Sequence, residues 1–360
     1  MRITKKSVKY IINAVVILLL LLLAGYLILS EQDLPEIIEA MRQAKLEYLI
    51  IGIALLILYV ACESFIIKYL MKNMGTDLRF HKCFKYSFVG FFFCAITPSA
   101  TGGQPAQVVW MARDGVDAGL SSLILCIVTM VYKIALIIIS GVLVLLNLPF
   151  VKAHIGYMGY VYIFSFILNL IFITALGLLI YKPAIAEKIT IKCMNLLSRI
   201  RLIKNKDKIM SKVNGSIDKY KAGSGFIKSN FGVMVNVFFI TVFQRMCFFA
   251  ITYVVYRSFG LSGTSFLEII TLQTILTLSL DILPLPGGIG ANEEGFLTMY
   301  DQIFTGNFLV SGLLFSRGIN YYVLVVIGAA VTVISYITGS RRIALKNRQT
   351  MTIKEKGDRK

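Results

Sequence analysis

The chain has 360 residues, of which 57% are hydrophobic and only 16% are charged, and its mean hydropathy is +0.76. These values exclude an ordinary soluble globular domain. The net charge is +18, from 37 Lys and Arg against 19 Asp and Glu. No recognition motif accompanies the basic residues, so we do not expect nucleic acid as a partner.

Seven apolar runs are long enough to cross about 30 Å of hydrocarbon. They are residues 10–30, 48–70, 119–148, 155–181, 231–256, 266–283 and 308–338. The first run follows four basic residues, but it exceeds a signal-peptide core and no small-residue cleavage site follows, so we interpret it as a retained helix. The sequence predicts an all-α polytopic integral membrane protein, with residues 1–340 as one membrane domain.

Charge sets the orientation. Twelve Lys and Arg lie between 182 and 228, and eight lie in the tail 341–360. The positive-inside rule makes these segments cytoplasmic, and with them both termini of a cell-membrane protein. The spacing of Ile and Leu within 182–230 predicts a basic amphipathic helix on the membrane surface, ending in a turn at residues 223–225.

Two segments between the runs must enter and leave the membrane on one side. Residues 86–117 are flanked by cytoplasmic segments, and residues 266–306 lie between runs that place both ends outside. The sequence therefore predicts about six full transmembrane helices plus two hairpins that enter from opposite faces, a possible inverted repeat. Length does not decide whether the hairpin arms span fully or turn back inside the membrane.

The first hairpin is broken by TPSATGGQPAQ at residues 97–107. Its hydroxyls, amides and backbone N–H groups suit a phosphate or lipid headgroup, and Pro105 can begin a short helix whose N-terminus favours an anion. The alternative is that these groups only satisfy one another at a helix break. The candidate ligands are Thr97, Ser99, Thr101, Gly102, Gly103, Gln104 and Gln107.

The second hairpin is broken by LPGGIGANEE at residues 285–294. Gly287 and Gly288 permit a tight backbone turn, and Asn292 and Glu293 begin the next helix, whose dipole favours acids. The alternative interpretation is an acidic helix start with no ligand.

Five ionisable residues in or beside the apolar runs are candidates for a site: Glu63, Lys133, Arg245, Asp281 and Arg317. Each is costly in hydrocarbon unless it is paired or lines a wet cavity. Structural ion pairs would account for them, although Lys133 has no acid near it in its own helix. A polar cavity also accounts for them, with the cations on a lipid phosphate and the acids on a cationic group or a proton.

Six scattered cysteines and two isolated histidines give no metal-ligand or disulfide spacing, so no metal or other cofactor is expected. No nucleophile–base pattern, P-loop or GxSxG motif occurs, so we assign no catalytic residues and lean against an enzyme.

The motifs TPSATGGQP and PLPGGIGANE, followed by Arg317 in FSRGINYY, resemble the transmembrane region of the lysylphosphatidylglycerol synthase/flippase family. The resemblance implies a part concerned with lipid translocation, without the cytosolic aminoacyl-transferase domain of bifunctional members. Together with the residues it suggests a translocase of an anionic, aminoacylated or glycosylated lipid. The alternatives are an enzyme or enzyme subunit that modifies lipid headgroups, and a scaffold. The expected partners are membrane lipids and a separate lipid-modifying enzyme or glycosyltransferase, with a homodimer possible.

Overall fold

A computed structural model describes residues 42–199, 206–281, 283–305 and 307–338, together with Pro35 and Glu39. The run 10–30 and the tail 341–360 lie outside the described residues. The helices are α1 (Leu46–Asn73), α2 (Phe80–Ile96), α3 (Gly103–Arg113), α4 (Ala118–Leu146), α5 (Leu148–His154), α6 (Met158–Tyr181), α7 (Pro183–Arg199), α8 (Lys206–Ser229), α9 (Phe231–Ser258), α10 (Phe266–Leu280), α11 (Ala291–Tyr300) and α12 (Phe308–Thr338).

Five of these helices are long and apolar enough to cross a membrane: α1, α4, α6, α9 and α12. They confirm five of the seven predicted apolar runs as helices and, with the all-α composition of the described residues, confirm the polytopic membrane class. Large apolar side chains on α6, such as Tyr160, Ile163 and Ile171, are exposed. In a bilayer these positions contact lipid tails. Exposing an apolar side chain to lipid tails has no free-energy cost of the kind that exposure to water has.

The two hairpins are α2–α3 and α10–α11. Their arms contain between 10 and 17 residues, which corresponds to roughly 15–26 Å of helix. A full crossing needs about 20 residues. All four arms are shorter than this, and none of them is among the five described helices that are long and apolar enough to cross a membrane.

The hairpin tips are short 3₁₀ turns, a first tip at Pro98–Ala100 and a second tip at Pro286–Gly288, and they contact each other. The Ser99 hydroxyl donates a hydrogen bond to the Leu283 carbonyl at 3.4 Å. Proline interrupts helical hydrogen bonds, and each incoming arm ends a few residues before one: α2 ends at Ile96, before Pro98, and α10 ends at Leu280, before Pro284. The two hairpins thus meet tip to tip.

The open end of the first hairpin is fixed by Asp114. Its Oδ2 accepts hydrogen bonds from Lys85 Nζ at 2.5 Å and from the Tyr86 hydroxyl at 2.6 Å. Burial alone would raise the pKa of Asp114, but the bonds from Lys85 and Tyr86 outweigh burial and hold that pKa below its usual value. An ionised Asp114 therefore ties the start of α2 to the end of α3.

Two helices, α7 and α8, form the predicted basic connection. The prediction that it ends in a turn at residues 223–225 is wrong. Helix α8 continues through these residues to Ser229. A Cβ on Gly223 would lie 2.5 Å from Leu123 Cδ2. Gly223 is thus required for the close approach of α8 to α4, and packing outweighs its low helix propensity.

Gly119 gives a test of this packing. A Cβ there would lie 1.9 Å from the backbone oxygen of Ser216 on α8, which cannot move without shifting the helix. We expect Gly119→Ala to lower stability by about 1–3 kcal/mol, measured as the midpoint of thermal unfolding. Gly177→Ala in α6 is the control, since nothing lies within 4 Å of its Cβ position. Equal midpoints for the two variants would contradict the α4–α8 contact.

Candidate functional site

A cavity of about 260 Å³ lies between the two hairpin tips. Both tips, α10 and α12 contribute to its wall, and so do α1, α2 and α9. Its polar and charged lining comes from Ser99, Gln273, Thr277, Asp281, Asn292, Ser316, Arg317 and Asn320. A polar cavity at the meeting point of two broken hairpins has the general form of a membrane transport site.

Arg317 forms one charged side of the cavity. Its Nε donates to Glu293 Oε1 at 2.8 Å, and its Nη2 donates to the Gly287 carbonyl at 3.1 Å. Glu293 Oε2 in turn accepts from the backbone N–H of Gly290 at 2.7 Å. The pair therefore anchors the second tip, while the guanidinium, with five N–H donors in total, keeps others for an anionic ligand.

Beside Arg317, two polar groups that line the cavity have no partner. Ser316 Oγ and Asn320 Oδ1 are buried and make no hydrogen bond. They lie on one face of α12, where residues 318–323 form a π-helical turn. Buried polar atoms are nearly always hydrogen-bonded, and π turns are frequent at functional sites. This wall is therefore prepared for a polar ligand or for water.

Asp281 forms the second charged side. It pairs with Lys133 Nζ, and its Oδ1 accepts from the Tyr132 hydroxyl at 2.6 Å. Lys133 Nζ also donates to Asn169 Oδ1 at 2.9 Å. Lys133 is thus paired with an acid, Asp281, which lies at the end of α10 and not in the helix that contains Lys133. The side chains of Lys133 and Asp281 are only 8% and 13% exposed, so each compensates the burial of the other.

Aromatic rings line the cavity between these charged sides. The Tyr59 ring centroid lies 4.9 Å from that of Phe91 and 5.0 Å from that of Phe248, and all three residues face the cavity. The cavity therefore offers apolar surface as well as charge.

Most predicted ligands of the first tip lie outside the cavity, where they hold the hairpin together. Only Ser99 lines it. Thr97 Oγ1 accepts from the backbone N–H of Gly102 at 2.9 Å, and Thr101 donates to the Pro98 carbonyl at 2.9 Å. These local bonds follow the alternative interpretation of the motif, in which the polar groups satisfy one another.

Gln104 and Gln107 reach other helices instead. Gln104 Nε2 donates to Thr129 on α4, and Gln107 Nε2 donates to Glu63 on α1 at 3.1 Å. The helix α3 begins at Gly103, two residues before the predicted start at Pro105. Proline is tolerated there because the first helical turn has no N–H bonds to lose. A Cβ on Gly103 would lie 2.2 Å from Cys94 Sγ, so this glycine serves packing against α2.

More of the residues predicted for the second tip line the cavity. Gly287, Gly288 and Asn292 line the cavity. Gly287 has φ 60° and Gly288 has φ 66°, a region that favours glycine. Glu293 lies in the first turn of α11 and reaches the cavity through Arg317.

Arg245 is placed behind the wall rather than in it. Its guanidinium lies 3.9 Å from the Tyr132 ring centroid and 5.0 Å from that of Tyr59. Tyr132 bonds Asp281 and Tyr59 lines the cavity. Arg245 therefore supports two residues of the site and is not itself exposed to the cavity.

The sequence analysis missed most of the other lining residues, among them Tyr59, Gln273, Ser316, Asn320 and Tyr321. A signal existed for α12, because Ser316, Arg317, Asn320, Tyr321 and Leu324 recur at helical spacing and all line the cavity. The Tyr321 hydroxyl donates to the Ala95 carbonyl at 3.0 Å, which connects α12 to the first hairpin. No comparable pattern distinguishes Tyr59 in α1.

The fold and the cavity define a polytopic α-helical membrane protein with a polar site between two Pro/Gly-broken helical hairpins. Residues 10–328 match the family model of the lysylphosphatidylglycerol synthase TM region. The chain belongs to that family, which confirms the resemblance carried by the two tip motifs. A search of curated proteins found no match. Membership of this family supports a function related to membrane lipids.

Proposed function

We propose that the protein is a lipid translocase, which moves the headgroup of an anionic, aminoacylated or glycosylated lipid through the cavity while the acyl chains stay in the bilayer. The observation that carries the proposal is the wall formed by Arg317 with the unpartnered Ser316 and Asn320. A headgroup phosphate can accept hydrogen bonds from Arg317 and Ser316, and a hydroxyl or ammonium group of the headgroup can donate to the Asn320 oxygen.

The energetics of translocation support the same proposal. Moving a charged headgroup through hydrocarbon costs many kcal/mol, because the charge loses its hydration. Arg317 and the backbone of the second tip supply fixed opposite charge and hydrogen bonds for a phosphate. Asp281, with Lys133 beside it, supplies both signs of charge on the other side. The headgroup exchanges water for these groups, and the barrier falls.

Asn320→Leu tests the proposal with little risk to folding. The change keeps the size of the side chain and removes a buried oxygen that has no partner. Because a hydrogen bond to the headgroup is worth about 1–1.5 kcal/mol, we expect translocation to slow by about tenfold, with unchanged or raised thermal stability. The assay is leaflet exchange of fluorescent phospholipids with different headgroups in reconstituted liposomes.

Asn236→Leu is the matched control, because Asn236 is exposed on α9 and bonds Tyr69 away from the cavity. It should leave exchange unchanged. If no headgroup class crosses faster than in protein-free liposomes, the proposal is wrong.

A further inference from the structure

Glu63 is a buried carboxylate on α1 without a cationic partner. Its residue is only 8% exposed, and it accepts a hydrogen bond from Gln107 Nε2 at 3.1 Å. The other largely buried carboxylates of this region, Glu293 and Asp281, are paired with Arg317 and Lys133. No Lys, Arg or His nitrogen among the described residues lies within 4.0 Å of Glu63.

Each helix packed around Glu63 presents at least one group to it. Arg245 on α9 interacts with it electrostatically, but at more than ion-pair distance, and its Nε has no hydrogen-bond partner. Tyr59 on α1 and Cys94 on α2 also interact with its charge. Gln244 on α9 and Gln107 on α3 are the neighbouring amides. Arg245 is thus the one permanent charge among these neighbours.

A carboxylate buried in this way is costly when ionised, since no cation touches it, and its neutral acid is favoured. Its amide neighbours suit both forms. A glutamine side chain can donate to an ionised carboxylate and can accept from a protonated one. The positive charge of Arg245, more than 4.0 Å away, favours the ionised form of Glu63 without forming an ion pair with it. The surroundings of Glu63 therefore permit a proton to bind and to leave.

Glu63 is also connected to the cavity wall and to the first hairpin. Tyr59 and Cys94 line the cavity, so Glu63 lies directly behind the cavity wall. Its hydrogen-bond donor, Gln107, belongs to α3, the returning arm of the first hairpin. A displacement of that arm would remove the donor from Glu63. Proton binding and hairpin position are thus joined through one hydrogen bond.

We propose that Glu63 is a reversible proton-binding site behind the cavity, tied to the first hairpin through Gln107. The carboxylate takes its proton from water that reaches the cavity and returns it to water. The second part of the proposal rests on the proposed lipid translocation: through this site, translocation responds to a proton gradient across the membrane.

The first experiment measures the proton directly and does not depend on transport. Infrared spectra of the purified protein at neutral pH should contain a carboxylic-acid carbonyl band that disappears in Glu63→Gln and diminishes as the pH is raised. Glu294→Gln, at an exposed carboxylate on α11, should leave the band unchanged. If Glu63→Gln fails to fold, Gln107→Met should shift the same band by removing its hydrogen bond. A spectrum without any Glu63-dependent acid band would overturn the proposal.

The second experiment measures the coupling in liposomes with an imposed gradient of one pH unit. For one proton per lipid, the ratio of lipid between leaflets should shift by up to about tenfold in the wild type, and not in Glu63→Gln. Wild-type exchange that ignores the gradient would overturn the coupling while leaving translocation intact. A complete absence of exchange would instead contradict the proposed function, and the infrared result would still decide the proton site.

Discussion

Arg317→Gln is expected to destabilise the protein by about 3–5 kcal/mol, because it leaves the buried Glu293 carboxylate without its cation. The side chains of Arg317 and Glu293 are only 9% and 11% exposed, and their atoms are 2.8 Å apart. The double variant Arg317→Gln, Glu293→Gln should recover much of this loss, since it removes both charges together. Thermal unfolding midpoints in a constant lipid or detergent measure the difference.

The variants should rank differently in lipid exchange than they do in thermal stability. Both the single and the double variant lack the guanidinium that faces the cavity, so both should lose lipid exchange. Arg113→Gln removes the same charge from the exposed end of α3 and serves as the control. A double variant that is well folded and still exchanges lipid at the wild-type rate would remove this pair from the mechanism.

Gly287→Ala is expected to disrupt the cavity more than any other glycine substitution at the second tip. Its positive φ alone costs about 1–2 kcal/mol for a residue with a Cβ. The new Cβ would also lie 2.3–2.5 Å from two ring carbons and the hydroxyl oxygen of Tyr321, and such overlap adds about 1–3 kcal/mol. Displacing Tyr321 breaks its bond to the Ala95 carbonyl, so lipid exchange should fall as well.

Gly290→Ala separates the two causes. Gly290 has φ 84°, but nothing lies within 4 Å of its Cβ position, so it has the backbone penalty without the collision. Gly287→Ala should therefore be less stable than Gly290→Ala in thermal unfolding. If the two variants lose the same stability, the close contact between the second tip and Tyr321 is not present.

The fold could be predicted largely from apolar length and charge. Both are local properties, and they identify helices such as α1 and α9 to within a few residues of their ends. The length of the hairpin arms could not be predicted in this way, because run 266–283 is apolar up to the prolines, yet α10 ends at Leu280. The continuation of α8 through Gly223 was also missed, since it depends on a contact with Leu123 on another helix.

The site was harder to predict because its pairs connect distant parts of the chain. Lys133 and Asp281 are 148 positions apart, and no local pattern predicts that they meet. At the first tip, the sequence showed suitable residue types but not the groups that they contact. Thr97 and Thr101 have the side chains of a phosphate site, but they bond their own turn. Residue type gives the available chemistry, and only the packing decides whether that chemistry faces a ligand or the protein itself.

The central claim is that the cavity between the tips holds a lipid headgroup. A structure of the wild-type protein in lipid nanodiscs tests it most directly. We expect density for a headgroup between the tips, with its phosphate within hydrogen-bond distance of Arg317, a headgroup hydroxyl or ammonium group at Asn320, and its acyl chains in the bilayer. A cavity occupied only by ordered water or closed by side chains, with lipid density confined to the outer surface of helices such as α6, would contradict the claim.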